Sequence, residues 1–106
     1  MRTIIISLTL AALSSGAAFA ADAKAGAAVF DKSCKSCHAA DGSGNPAIGK
    51  MMKVDMKALG SADVQAHSDA DLKKDITDGV GKMKPIASVT GASADDVVAY
   101  VRSLKK

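Results

Sequence analysis

Tryptophan and glutamate are absent from this chain, and aromatic side chains are nearly so. Among 106 residues there are two Phe and one Tyr. Phe19 sits in the N-terminal segment, which leaves Phe30 and Tyr100 for a folded domain. Aromatics normally supply much of a small core. Their scarcity points to something other than protein filling the middle. Net charge is also low, at +3 with every acid an Asp. That is too mild to argue for a nucleic-acid partner, although it can steer a small electrostatic encounter. No strand alternation and no internal repeat is visible. Past the first twenty residues no apolar run is long enough to span a bilayer, which takes roughly 20 residues.

What is present at the N-terminus is a three-part pattern. Arg2 provides a cationic start, "IIISLTLAAL" over 4–13 an apolar stretch, and "SSGAAFA" a small-residue region. Ala18-Phe19-Ala20 forms an A-x-A cleavage site. This predicts a secretory signal peptide over 1–20 and a mature chain over 21–106. The competing reading is an uncleaved anchor. The mature part is expected to be one soluble domain in the periplasm, without stable membrane insertion. A chain this short buries only about 60% of its unfolded surface, or a little more. Such domains often need a disulfide, a metal or a large cofactor.

Three helices stand out. Asp22 is a plausible cap for the first, in which Gly26, Phe30 and Cys34 share a face at i, i+4 and i+8. Residues 41–46, "DGSGNP", predict a loop, and 47–59 has room for a short helix. Ser68, with Asp71 three residues on, predicts the start of a second helix. Leu72 and Ile76 form its stripe, and Gly79 and Gly81 end it. Ser93 is the expected cap of the last helix. There Val97, Tyr100, Val101 and Leu104 lie at i, i+3, i+4 and i+7. Three helices and two long loops remain, and long loops in a compact domain need a reason. Wrapping a cofactor would be one.

Both cysteines and one of the two histidines lie in "SCKSCHAADGSGNP", residues 33–46. Three chemistries compete for Cys34, Cys37 and His38. Thiol–disulfide exchange by C-x-x-C wants a βαβ context and gains from a helix N-terminus, whereas this pair follows a helix. Structural zinc needs four ligands, and adjacent Cys37 and His38 would strain to bind one tetrahedral ion. C-x-x-C-H fits a c-type haem. The thiols of Cys34 and Cys37 would form thioethers with the two haem vinyl groups, and the imidazole of His38 would reach the iron. Export fits that attachment.

The pattern G-x₃-F-x₃-C-x-x-C-H is carried by Gly26, Phe30, Cys34, Cys37 and His38. It continues with a Gly-rich loop and Pro46, a helix–Gly–Met loop, and the C-terminal "VVAYVRSL". In these features the chain resembles the small monohaem class I cytochromes c of bacteria, across essentially the whole mature part. The resemblance implies an all-α cytochrome c fold with loops wrapped around one covalent haem c. It implies electron transfer rather than enzymatic turnover.

It also implies that Met83 completes the iron coordination opposite His38, and that the Pro46 carbonyl accepts the other ring N–H of His38. His/Met ligation raises the reduction potential. The family usually has Met-Pro, whereas this chain has Met83-Lys84-Pro85. His67, Met51, Met52 and Met56 are the rival ligands. Gly26 and Phe30 are expected to meet Tyr100. Lys35, Lys82 and Lys84, with Lys50 and Lys53, suggest a cationic rim for acidic redox partners, with the protein a monomer. Two other functions compete: a periplasmic copper carrier using Met51, Met52, Met56, His67 and the cysteines, and a thiol/disulfide redox protein.

Overall fold

The computed structural model describes residues 21–106. The expected signal segment, 1–20, lies outside the described residues. Six helices follow in order: α1 (Ala23–Ser33), α2 (Lys35–His38), α3 (Pro46–Met52), α4 (Ala62–Gln65), α5 (Asp69–Asp78) and α6 (Gly91–Ser103). The described residues form no strand beyond one isolated bridge, Val80 with Met83. The all-α expectation therefore holds. The three long helices are α1, α5 and α6.

Helix α1 begins where its cap dictates. The Asp22 carboxylate accepts the Lys24 and Ala25 N–H groups at 2.9 and 3.3 Å, satisfying donors that the first turn leaves unpaired. Ser68 does the same for α5, accepting the Asp71 N–H at 3.1 Å. Gly79, at φ +81°, closes α5.

Helices α1 and α6 cross at Gly26. A Cβ built there would lie 1.9 Å from the Asp96 carbonyl oxygen, so only glycine permits the approach. The Asp22 N–H donates to the Asp96 carboxylate at 2.8 Å beside the crossing. One turn further, the rings of Phe30 and Tyr100 stack with centroids 5.0 Å apart and a tilt of 54°. The expected meeting of Gly26, Phe30 and the last helix is thus realised. The core comprises Phe30, Cys34, Leu72, Ile76, Val89, Ala94, Val97, Val98 and Val101.

Some expectations shift. Helix α6 starts at Gly91 behind Thr90, not at a Ser93 cap. Gly91 takes φ +55°, and the Ser93 N–H already bonds back to the Thr90 carbonyl at 3.2 Å. The buried stripe of α6 is Ala94, Val97, Val98 and Val101, with Tyr100 and Leu104 half-buried at its edge. The loop over 41–46 gives way at Pro46, which opens α3 at its first position. Proline suits that position because its missing N–H has no helical partner anyway. The single turns α2 and α4 lie outside the helices that the sequence predicts.

Candidate functional site

Cys34 ends α1, and its N–H bonds to the Phe30 carbonyl at 2.8 Å. Cys37 and His38 then sit on the single turn of α2. Ala39 stops that turn with φ +63° and ψ 163°, a region that residues with a Cβ rarely occupy. The Gly-rich loop folds back over the turn. Gly44 donates to the His38 carbonyl at 2.8 Å and Asn45 to the Cys37 carbonyl at 2.9 Å. The Asn45 side chain reaches the Ser36 carbonyl at 3.2 Å. The Tyr100 hydroxyl donates to the Ala40 carbonyl at 3.1 Å and ties the segment to α6.

Cys34 is buried and Cys37 half-buried, both as free thiols. Burial, reinforced by the neighbouring Cys37, pushes the Cys34 thiol above its usual range. A reactive exchange thiol needs the opposite shift, so this environment disfavours the disulfide-exchange reading. Burial pushes the His38 imidazole down, towards its neutral form. Neutral imidazole is the form that coordinates metal. Nδ1 of His38 is buried and has no hydrogen-bond partner. Pro46 is exposed as the first residue of α3, and its carbonyl does not accept from that nitrogen here.

Met83 is held by a tight reversal. Val80 and Met83 exchange both main-chain hydrogen bonds at 2.9 Å, with Gly81 at φ +55° between them. The far side is fixed where the Ile86 N–H meets the Ile76 carbonyl at 2.9 Å. Gly79 lies against this reversal: a Cβ there would meet the Met83 carbonyl oxygen at 2.7 Å and Pro85 Cδ at 2.8 Å. The displaced proline of Met83-Lys84-Pro85 therefore has a seat of its own, on Gly79.

Two cavities adjoin these elements, of about 320 and 690 Å³. Each falls within the usual ~300–1,000 Å³ of ligand sites. Cys34, His38 and Met83 line both. Cys37, Ile48, Met52, Val54, Met56 and Ile86 complete much of the smaller one. Phe30, Leu72, Ile76, Val97, Val98 and Val101 face the larger. The folded chain thus brings the two thiols, the imidazole and the thioether of Met83 to one largely apolar space. A large, flat, mostly apolar cofactor with a central metal fits that donor set and lining.

The rival donors are dispersed. Met51 is 71% exposed. Met52 and Met56 line the smaller cavity and exposed His67 the larger. Among the described residues, no group of three or more His, Cys, Asp or Glu side chains converges on a metal position. Of the lysines, Lys82 and Lys84 are exposed at the smaller cavity. Lys35 instead pairs with Asp31 at 3.3 Å.

Sequence reasoning passed over Arg102 and Gln65. The Arg102 guanidinium donates to the Gln65 carbonyl at 2.8 Å, to Gln65 Oε1 at 3.3 Å and to Asp69 Oδ1 at 2.8 Å. It also reaches the His67 carbonyl. Gln65 Nε2 bridges the Leu59 and Val101 carbonyls at 2.9 Å each. All but the Gln65–Leu59 bond span more than thirty residues of chain, and no local pattern announces them.

The sequence model of the family described as Cytochrome c matches residues 23–105. No curated protein matches the chain. Among solved structures, the c-type cytochrome KustC0563 superimposes with a TM-score of 0.65 at 25% identity, covering 76% of this chain and 98% of that one. With the family match spanning nearly all of the described residues, and the C-x-x-C-H turn opening onto an apolar cavity, the chain belongs to the cytochrome c family and is a haem-based electron carrier with a covalently bound c-type haem.

Proposed function

We propose that the chain is a periplasmic one-electron carrier with His/Met ligation, a monomer that shuttles electrons between respiratory redox proteins. In this reading residues 1–20 direct export and are removed, and 21–106 form a single haem domain. Cys34 and Cys37 hold the thioether bonds. His38 and Met83 coordinate the iron. The observation that carries this assignment is that Cys34, His38 and Met83 line both cavities, where their walls meet.

Bound haem supplies an iron that accepts and releases one electron at a time. The chain's own residues set the conditions for that exchange. Burial keeps His38 neutral and ready to coordinate. Its buried Nδ1 is unpartnered here; in the haem-loaded protein we assign the acceptor role to the carbonyl of Pro46, which follows the loop bonded to Cys37 and His38. The apolar side chains of Leu72, Ile76, Val97 and Val98 exclude water, and a dry surrounding tunes the potential. A thioether from Met83 leaves no open position for a substrate. Exposed Lys82 and Lys84 sit beside the smaller cavity, placed to attract an acidic redox partner.

The test is Met83→Ala in haem-loaded protein. The ferric wild type is expected to show the far-red absorption band of Met–iron ligation, and the variant is expected to lose it. A band that survives the substitution would assign the sixth position to another residue.

A further inference from the structure

Helix α2 is a single turn, Lys35–His38, and it carries both Cys37 and His38. A helix leaves its last carbonyls without partners, and in one so short that means nearly all of them. The Lys35 carbonyl is taken by the Ala39 N–H at 2.9 Å. Ala39 then turns the chain out of the helix. The carbonyls of Ser36, Cys37 and His38 remain, and the Gly-rich loop answers all three. The Gly44 N–H donates to His38, the Asn45 N–H to Cys37 and the Asn45 side chain to Ser36. Two of these three donors belong to Asn45.

The same side chain binds in two directions. Its amide nitrogen donates to the Ser36 carbonyl at 3.2 Å, while its oxygen accepts the Ala47 N–H at 3.1 Å and caps α3. An amide can do both because it carries a donor and an acceptor on one planar group. The loop beneath it is itself supported. The Leu59 N–H donates to the Gly42 carbonyl at 2.9 Å, and the Asp41 carboxylate accepts from both the N–H and the hydroxyl of Ser43. Gly44 takes φ +94°, and a Cβ there would lie 2.9 Å from Met56 Cβ. The loop is thus backed by the segment that follows α3.

We propose that Asn45 is the positioning residue of the haem-attachment turn: by binding α2 to the start of α3, its side chain fixes the plane of the His38 imidazole. This rests on the haem carrier described above, with His38 on the iron. Cys34 is held independently, by its place at the end of α1. Cys37 and His38 have no such anchor, since their N–H groups reach back only to the Cys34 carbonyl, at 3.3 and 3.0 Å. Without the Asn45 amide the exposed Ser36 turns its carbonyl to water, and the turn is free to rotate. The imidazole rotates with it. Water then gains access to the His38 side of the cavity, and a wetter surrounding favours the more highly charged ferric iron.

The experiment compares haem-loaded wild type with Asn45→Ala, Asn45→Ser and Ser68→Ala. Serine keeps the cap of α3 but is too short to reach the Ser36 carbonyl. Ser68→Ala removes a cap of the same kind from α5 and leaves the turn alone. Two properties are read. One is the pattern of paramagnetically shifted haem methyl resonances in the ferric protein, which follows the plane of the axial imidazole. The other is the midpoint potential. Both Asn45 variants are expected to change the pattern and lower the potential. Ser68→Ala is expected to lower Tm by roughly 5 °C with the pattern and potential of wild type. A wild-type pattern or potential in Asn45→Ser reduces Asn45 to a helix cap and overturns the proposal. So does a pattern that moves equally in Ser68→Ala, which would trace the change to lost stability. The far-red band is expected to persist in Asn45→Ser; its loss would move the defect to Met83 and overturn the assignment to His38, with the haem carrier intact. Wild-type protein without haem would instead defeat the carrier itself.

Discussion

Gly26→Ala tests the packing that everything else stands on, because its sign is unusual. On an exposed helix this change stabilises by about 1 kcal/mol, since Gly is the poorer helix former. Here the added Cβ would lie 1.9 Å from the Asp96 carbonyl oxygen, 2.4 Å from its carbon and 3.0 Å from the Val97 nitrogen. All three are backbone atoms, so no side chain can rotate away. A C···O contact needs about 3.3–3.6 Å, so α1 and α6 must part by roughly 1.5 Å. That displacement pulls on the Asp22–Asp96 hydrogen bond of 2.8 Å and the Phe30–Tyr100 stack. Overpacking of this kind costs typically ~1–3 kcal/mol and sometimes more. With no side chain able to yield, the upper end of that cost, about 3 kcal/mol, applies, and after the helix gain of about 1 kcal/mol a net loss of about 2 kcal/mol is expected, or roughly 10 °C in Tm for a domain of this size. Guanidinium denaturation of the haem-loaded protein, followed by far-UV circular dichroism, reads it as a lower midpoint at unchanged slope. Ala28→Gly, at an exposed position of the same helix, is the control and should lose about 1 kcal/mol. A Gly26→Ala protein as stable as wild type, or more stable, would refute the close crossing.

Two further outcomes are expected. Ala39→Gly should raise stability by about 1 kcal/mol, because the strained backbone at φ +63° and ψ 163° costs of order 1–3 kcal/mol with a Cβ and glycine returns part of that as unfolded-chain entropy. A thermal scan of the haem-loaded variant checks it. Lys82→Glu with Lys84→Glu should slow electron transfer to an acidic partner at low salt and flatten the dependence on ionic strength. Stopped-flow rates measured across a salt series would expose an unchanged slope if these lysines play no part.

Much of this architecture is legible because it is locally encoded. Asp22 and Ser68 cap their helices through their own side chains, and cap residues can be recognised one at a time. Gly26, Phe30 and Cys34 are all buried, as a spacing of four dictates. The C-x-x-C-H spacing specifies its cofactor through covalent reach, independently of the rest of the fold.

What escaped the sequence is held by distant partners. Helix α4 is one turn with no stripe, stabilised by Gln65 reaching Leu59 and Val101. Val98, next to the anticipated Val97, is buried with it in the same core cluster. Gly79 ends a helix, as expected, but it also seats Pro85 behind Met83. That second contact becomes visible only when the chain has turned back on itself. Arg102, to which the sequence assigns no role, is the clasp on the His67 loop.

The most direct test concerns the bond between chain and cofactor. Protein purified from a host competent in haem maturation would be denatured and extracted with acidified organic solvent, alongside the Cys34→Ser, Cys37→Ser double variant. The red colour is expected to stay with the wild-type polypeptide and to be extractable from, or missing in, the double variant. Haem that leaves the wild type for the organic phase, or a colourless wild-type protein with two free thiols, would contradict covalent attachment through Cys34 and Cys37.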